Sequence, residues 1–330
     1  MDQKVKSVRY SVVIPVYNSE SIVGNTIART VACFEKYHWE YELILVNDGS
    51  QDGSWRILRE SALSNPRIIS INLLRNYGQH TALLCGFHNS SGNYVITLDD
   101  DLQNPPEEVV HLIQKAHEGH DLVFGRFNQK KHPWFRRIGS SLVGALNRQL
   151  FQKPPDLVLS NLRILRRDVV DRICSYRTVY PYITGLALMF SDNPANVQVK
   201  HERRVEGKSQ YNLVKILELV SRILFNYSSY PLRFVSIVGG AISGLSFILG
   251  FYYLVKKLIE GVPVPGWTTF VVLVSLSNGV VFLIFSILGE YMIRLLNQTS
   301  NAEVYQVKET LRHNSQWKDD GKKNSKNEVK

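Results

Sequence analysis

The sequence of 330 residues holds three cysteines, Cys33, Cys85 and Cys174, scattered and odd in number. That pattern supplies neither a disulfide framework nor a close metal-ligand cluster, and it fits a reducing compartment. Each thiol reads as a small core residue. No Gly-x-Gly-x-x-Gly follows the first apolar run, and no Gly-x-x-x-x-Gly-Lys occurs anywhere. Those absences argue against a dinucleotide fingerprint and a phosphate-cradling loop. The segment Met1–Arg9 is polar and charged, so no signal segment is expected before the first strand. Acids are outnumbered by bases, 29 to 39, giving a formal charge of +10. Such a balance suits anionic partners: nucleic acid, anionic lipid or a phosphorylated substrate. No module that reads nucleic acid accompanies it, so that class is set aside.

Charge is also missing from two long stretches. Phe234–Val255 and Gly261–Gly289 contain no charged residue. Each is long enough to cross a hydrocarbon core of about 30 Å as a helix. Two crossings place both termini on one side. Arg222, Arg233, Arg294 and the basic tail favour that side as cytoplasmic, while Lys256 and Lys257 weigh against it. Asn212–Phe225 is amphipathic, with Lys215, Glu218 and Arg222 at helical spacing, and reads as a helix in the membrane interface. Gly240 and Gly244, four apart, permit close helix contact and raise the expectation of self-association.

The first part of the chain alternates apolar β-rich runs with helical patterns. Strands are expected at 10–15, 41–46, 67–73, 94–98 and 121–124, with helices between them. That order means a mainly parallel sheet covered by helices. Polar or acidic residues close successive strands: Asn18 and Glu20, Asp48, Asn76, then Asp99-Asp100-Asp101-Leu102-Gln103. Strand ends are where open α/β sheets bind ligands. Adjacent carboxylates repel unless a cation or donors neutralise them. Asp99 and Asp101 share a side if strand geometry continues. With the Gln103 amide oxygen, they suit a hard divalent cation that also holds diphosphate oxygens. A solvated acidic turn is the bland alternative.

Val13-Ile14-Pro15-Val16-Tyr17-Asn18, Val46-Asn47-Asp48-Gly49-Ser50, Arg75-Asn76-Tyr77-Gly78-Gln79 and Asp99-Asp100-Asp101-Leu102-Gln103 occur in the order seen in family 2 glycosyltransferases of the GT-A fold. With two apolar C-terminal runs, the chain resembles the polyprenyl-phosphate glycosyltransferases. It looks most like the bacterial polyisoprenyl-phosphate glucosyltransferases, and less like dolichol-phosphate mannose synthases. The resemblance covers roughly residues 11–296. It implies a Rossmann-like GT-A domain at 1–210 and an interfacial helix at 211–231. Two transmembrane helices, at about 234–256 and 267–290 within 232–296, and a partly disordered tail at 297–330 complete the chain.

By the same resemblance, Pro15, Tyr17, Glu20, Asp48, Asn76 and Gly78 hold the nucleotide, Gly78 by close backbone approach. Asp99 contacts the ribose side, and Asp101 with Gln103 holds Mg2+ or Mn2+. Asp100 falls on a variable position and receives no role. Arg126, Arg136 and Ser140 match the acceptor-phosphate set, with Arg137 and Ser141 as the register one residue on. Arginine suits bidentate phosphate contacts. Asp156 matches an acid near the point of sugar transfer; a plain loop aspartate is its alternative. Asn161-Leu162-Arg163 stands where the family often has Gly-Phe-Arg, which leaves the sugar open. Val179–Phe190 is expected to face the bilayer or a lipid groove. Arg203 and Lys208 belong to a loop that closes over the diphosphate.

The implied reaction is inverting transfer of a hexose, glucose first, from a UDP-sugar to polyprenyl phosphate at the cytoplasmic face of the cell membrane. The enzyme would be multi-pass and homo-oligomeric, with a tetramer one form. Two rivals are a processive polysaccharide synthase and a non-catalytic nucleotide-binding scaffold. The first normally carries an Arg-Trp pair, absent here; intact Asp101 and Gln103 argue against the second.

Overall fold

The computed structural model describes residues 8–127, 134–178, 180–202, 220–221, 223–228, 230–260, 266–299 and 304–313. Strands β1 (Arg9–Val16), β2 (Glu40–Asn47), β3 (Ile68–Leu73) and β4 (Tyr94–Thr97) alternate with α1 (Val23–Lys36), α2 (Ser54–Ser64) and α3 (Gln79–His88). After β4 come a short 3-10 turn, α4 (Val109–His117), β5 (Leu122–Phe127), α5 (Trp134–Phe151), β6 (Arg163–Arg166), α6 (Arg167–Ser175), α7 (Ile183–Phe190) and β7 (Pro194–Val199). Two long helices, α8 (Tyr230–Glu260) and α9 (Trp267–Thr299), precede β8 (Val307–Arg312).

All eight strands form one sheet in the order β7-β5-β6-β4-β1-β2-β3-β8. The centre, β4-β1-β2-β3, is parallel, as the alternation requires. Strand β6 runs antiparallel between β4 and β5, and β8 antiparallel along β3. Successive β1 residues feed opposite faces: Val12, Ile14 and Val16 pack in one core cluster, Val13 in the other. A strand buried on both faces needs an unbroken apolar run, and 12–16 is one. Each such side chain, fully buried, contributes about 1.5–3 kcal/mol.

The chain direction across the sheet reverses beside β1, with β2 on one flank and β4 on the other. This switch point opens a crevice beyond the strand ends. Pro15 marks it. The β4 ladder reaches only Val13, so Pro15 lies past the last β1–β4 pairing, where its missing N–H breaks no bond to β4.

One expectation is corrected. Helix α7 does not face outward: Ile183–Leu188 are buried in the core against α3, α5 and α6. The glycine at the α8–α9 contact is Gly239, whose added Cβ would lie 2.8 Å from Ile284; Gly240 and Gly244 face open space. Strand β8 lies in the stretch read as a tail. It is held by the β3 ladder and by a hydrogen bond of 2.9 Å between Tyr305 Oη and His88 Nδ1.

Among the described residues, no helix is long and apolar enough to cross a membrane. Helix α8 has 31 residues and includes the uncharged run 234–255; α9 has 33 and includes 267–289. Apolar side chains point outward on both, Phe234 of α8 at 69 % exposure and Phe282 of α9 at 72 %, while Val235 is buried. The interfacial helix expected at 211–231 lies largely outside the described residues; 223–227 are helical.

Candidate active site

Four loops meet at the β1–β4 crevice, and carboxylates tie them together. Asp48, just past β2, is buried. Its Oδ1 accepts the Tyr77 N–H at 2.7 Å and its Oδ2 the Gly78 N–H at 2.9 Å. Burial raises its carboxyl above the ordinary range, and these two bonds oppose the rise. Asp48 therefore shapes the loop after β3. Gly49, with φ of 67°, completes the lock: a Cβ there would fall 2.5 Å from the Arg75–Asn76 backbone. Gly78 has φ of 91° and open space around its absent Cβ. Only glycine takes that conformation at little cost, and a ligand can approach the backbone closely there. Asn76 is exposed at the loop tip, and Arg75 stacks on Tyr77.

Glu20 spans the loops after β1 and β2. Its Oε2 accepts the Gly53 N–H at 2.9 Å at the start of α2, where negative charge is favoured. Tyr17, 48 % exposed, leaves an aromatic face at the crevice mouth.

The three adjacent aspartates divide the work. Asp100 turns back to the first loop, accepting from Tyr17 N–H at 3.2 Å and Ser19 Oγ at 2.5 Å. No role was expected for it, because it falls on a position that varies in the family pattern. Asp99 sits among amides. Gln79 Nε2 (2.7 Å) and Asn161 Nδ2 (3.3 Å) donate to its Oδ1, and Asn104 Nδ2 (3.1 Å) to its Oδ2. Burial, then Asp101, then Asp100 push the Asp99 carboxyl up to about 6. Asp101 Oδ1 accepts the Gln103 N–H at 3.1 Å. Between them Leu102 adopts φ of 56° with its side chain buried, a conformation rarely held by a bulky residue outside functional turns.

Among the described residues, no group of three His, Cys, Asp or Glu side chains converges to hold a metal. Asp100 is turned away and Asp99 is held by amides, while Asp101 and Gln103 are joined in one turn and carry the carboxylate and amide oxygens that a cation would use. One carboxylate plus substrate phosphates is a donor set that suits Mg2+ or Mn2+, so the residues fit a cation brought in with a diphosphate.

The sequence reading missed what lies beneath and beside this tip. Arg163 of β6 is fully buried below Asp99, and burial brings its guanidinium down to about 10. Glu202 N–H donates to Gln103 O at 3.0 Å, and His201 Nδ1 lies 3.3 Å from Asn104 Oδ1. The segment entering the loop of Arg203 and Lys208 is thus pinned to the acidic tip. Both of those residues lie outside the described ones. Arg126 is exposed near the end of β5, next to Phe127, whose ring packs on His201 at 4.8 Å, and Asp156 is exposed after α5. Arg136, Arg137 and Ser140 fall in the first turns of α5, and their side chains lie outside the described residues.

Residues 11–176 match the family model described as glycosyl transferase family 2. The chain is 35 % identical to undecaprenyl-phosphate 4-deoxy-4-formamido-L-arabinose transferase of Proteus mirabilis (strain HI4320), over 92 % of this chain and 94 % of that one. It is 30 % identical to uncharacterized glycosyltransferase YkcC of Bacillus subtilis (strain 168), over 92 % and 95 %. Among solved structures, glucosyl-3-phosphoglycerate synthase from Mycobacterium tuberculosis, in complex with Mn2+, UDP and phosphoglyceric acid, is similar with a TM-score of 0.50. That likeness, at 18 % identity over 66 % of this chain and 76 % of that one, concerns the fold alone.

Proposed function

The chain belongs to glycosyl transferase family 2, and on that premise we propose that it transfers a sugar from a UDP-sugar to polyprenyl phosphate. The observation that carries this reading is the extent of the likeness. Similarity to named undecaprenyl-phosphate transferases runs over 92 % of the chain, helices α8 and α9 included, whereas the likeness to glucosyl-3-phosphoglycerate synthase stops at 66 %. Glucose is the donor sugar the sequence resemblance favours. The names of the relatives set a formamido-arabinose beside it.

In this reading Tyr17 and the loop shaped by Asp48 receive the nucleotide, and Gly78 admits its close approach. Asp101 and Gln103 would hold Mg2+ or Mn2+, which when bound offsets negative charge on the leaving diphosphate. The Mn2+ named with the structural neighbour is in keeping with that. Arg126, with Arg136 and Ser140 or, one residue on, Arg137 and Ser141, would grip the acceptor phosphate. That phosphate is already anionic near neutral pH, so Asp156 orients rather than removes an obligatory proton. Attack opposite the leaving group inverts the anomeric centre.

Helices α8 and α9 would be the membrane spans, their outward apolar faces against lipid. Catalytic domain and both termini would then be cytoplasmic, with the site at headgroup depth. Self-association through the open Gly240–Gly244 face belongs to the same proposal.

The test is a panel of radiolabelled nucleotide sugars with membranes containing the chain and added undecaprenyl phosphate. The expected result is one sugar passing into a lipid-soluble, chelator-sensitive product. Absence of lipid product with every donor would overturn the reading.

A further inference from the structure

Arg163 carries a charge with no contact partner of opposite sign among the described residues. Its side chain is 0 % exposed. Its Nε reaches Thr97 Oγ1 at 3.3 Å and its Nη1 donates to Thr184 Oγ1 at 2.9 Å, both hydroxyls. Nη2 has no partner, and neither do two other buried atoms nearby, His80 Nδ1 and Asn147 Oδ1. His80 packs edge-on against Tyr182 at 5.3 Å, and Asn147 donates to the Tyr182 hydroxyl at 3.2 Å. His80 does not add charge: burial, then Arg163, hold its imidazole down to about 3. A buried guanidinium without a carboxylate in contact is costly unless charge elsewhere offsets it.

The register of β6 on β4 identifies that charge. Arg163 pairs with Thr97. Two residues further along the same antiparallel run, Asn161 comes opposite Asp99 and touches its carboxylate at 3.3 Å. The arginine therefore underlies the acidic tip one pleat back from Asp99. The influence is mutual: Asp99 favours the charged guanidinium, and Arg163 favours the ionised carboxylate.

We infer that Arg163 is a positioning residue, a fixed positive charge under the tip of β4 that tempers the aspartate triplet so the tip accepts a nucleotide diphosphate as well as a cation. Three carboxylates alone would draw a metal and repel the anion it must share. A permanent buried guanidinium cannot leave with the product, cannot be deprotonated near neutral pH, and is screened little by salt. The inference rests on the reading of this tip as a metal–nucleotide site.

The test separates charge from packing because the two predict different signs. Calorimetry on the full chain in detergent, at about pH 8 where Asp99 is ionised, titrates Mn2+ and metal-free UDP separately. Arg163→Gln should bind Mn2+ about threefold to tenfold more tightly and UDP more weakly by a similar factor. Arg163→Lys, whose ammonium this burial would partly neutralise, should fall between the native chain and Arg163→Gln for both ligands. Weakening of both ligands together by Arg163→Gln, or no change in either, overturns the inference. Should Arg163→Gln fail to accumulate, the double variant with Asp99→Asn removes both charges. Recovery of folded protein supports the coupling, and no recovery refutes it. A native chain that binds neither Mn2+ nor UDP strikes instead at the site reading on which the inference stands.

Discussion

The strand-tip cluster and the α8–α9 hairpin place their side chains in opposite ways. At the tip, carboxylates turn inward: Asp48 and Asp100 spend their oxygens on backbone and hydroxyl donors of neighbouring loops. In the hairpin, apolar side chains turn outward, Phe282 at 72 % exposure among them. Polar groups facing in are kept when each is satisfied, and they hold geometry. Apolar groups facing out over two long helices mark a surface that meets something other than water. The tip is thus built to hold a shape for a charged ligand. In the proposed reading the hairpin sits against an apolar phase, and transfer of a sugar to a lipid would use both regions.

The sharpest way to break this contrast is at the aspartate proposed to hold the cation. Asp101→Ala should reduce turnover by about a thousandfold or more, with the melting temperature within a few degrees of native. Near-normal turnover, with or without chelator, would remove Asp101 from the metal role. The hairpin is tested by excision. Joining Ser228 to Val304 through a flexible linker removes α8 and α9 and keeps β8 on the sheet edge. The product should bind UDP about as the full chain does and lose partition into vesicles. Retained partition would place the membrane contact elsewhere.

A smaller effect is expected at Asp48, an aspartate that serves structure. Asp48→Ala leaves two half-buried N–H groups without an acceptor and should cost about 2 kcal/mol, read by denaturant unfolding. Nucleotide affinity should fall with it, through the loop of Tyr77 and Gly78. A loss below about 0.5 kcal/mol would show that the loop holds itself.

The smallest effect concerns pH. Asp99 has a carboxyl raised from the model-compound value of 3.8 to about 6, so its ionisation opposes folding of the ligand-free chain. The contribution is fully present below 3.8 and is lost as pH rises through about 6. Ligand-free protein should therefore gain a little stability between pH 7 and pH 5 from this group. Stabilisation by Mn2+ should shrink over the same interval as the tip takes up a proton. Asp99→Asn should flatten the dependence; an unchanged profile would assign it to other groups.

The central strands were legible because β1 and β2 are unbroken apolar runs ended by polar turns. Strands β6 and β8 were not: Arg163–Arg166 is four residues with arginine at both ends, Val307–Arg312 carries charges of both signs, and only their neighbours in the sheet make them strands. Of the site, the strand-end positions of Asp48, Gly78, Asp99 and Asp101 follow from sequence order alone. The division of labour among Asp99, Asp100 and Asp101 does not, since it depends on the turn at Leu102. Nor does the burial of Arg163, because an arginine in an apolar-basic stretch reads equally as a surface residue. Helix α7 misled for the opposite reason: an apolar helix looks alike whether lipid or core covers it.

The account turns on a nucleotide held at the tip of β4 through a cation on Asp101. Equilibrium binding of UDP to the purified full chain, with Mn2+ and then with chelator, measures that directly. The account predicts UDP affinity at least about tenfold higher with Mn2+ in the native chain, and no such gain in Asp101→Ala. Equal affinity with and without the metal in the native chain would contradict it.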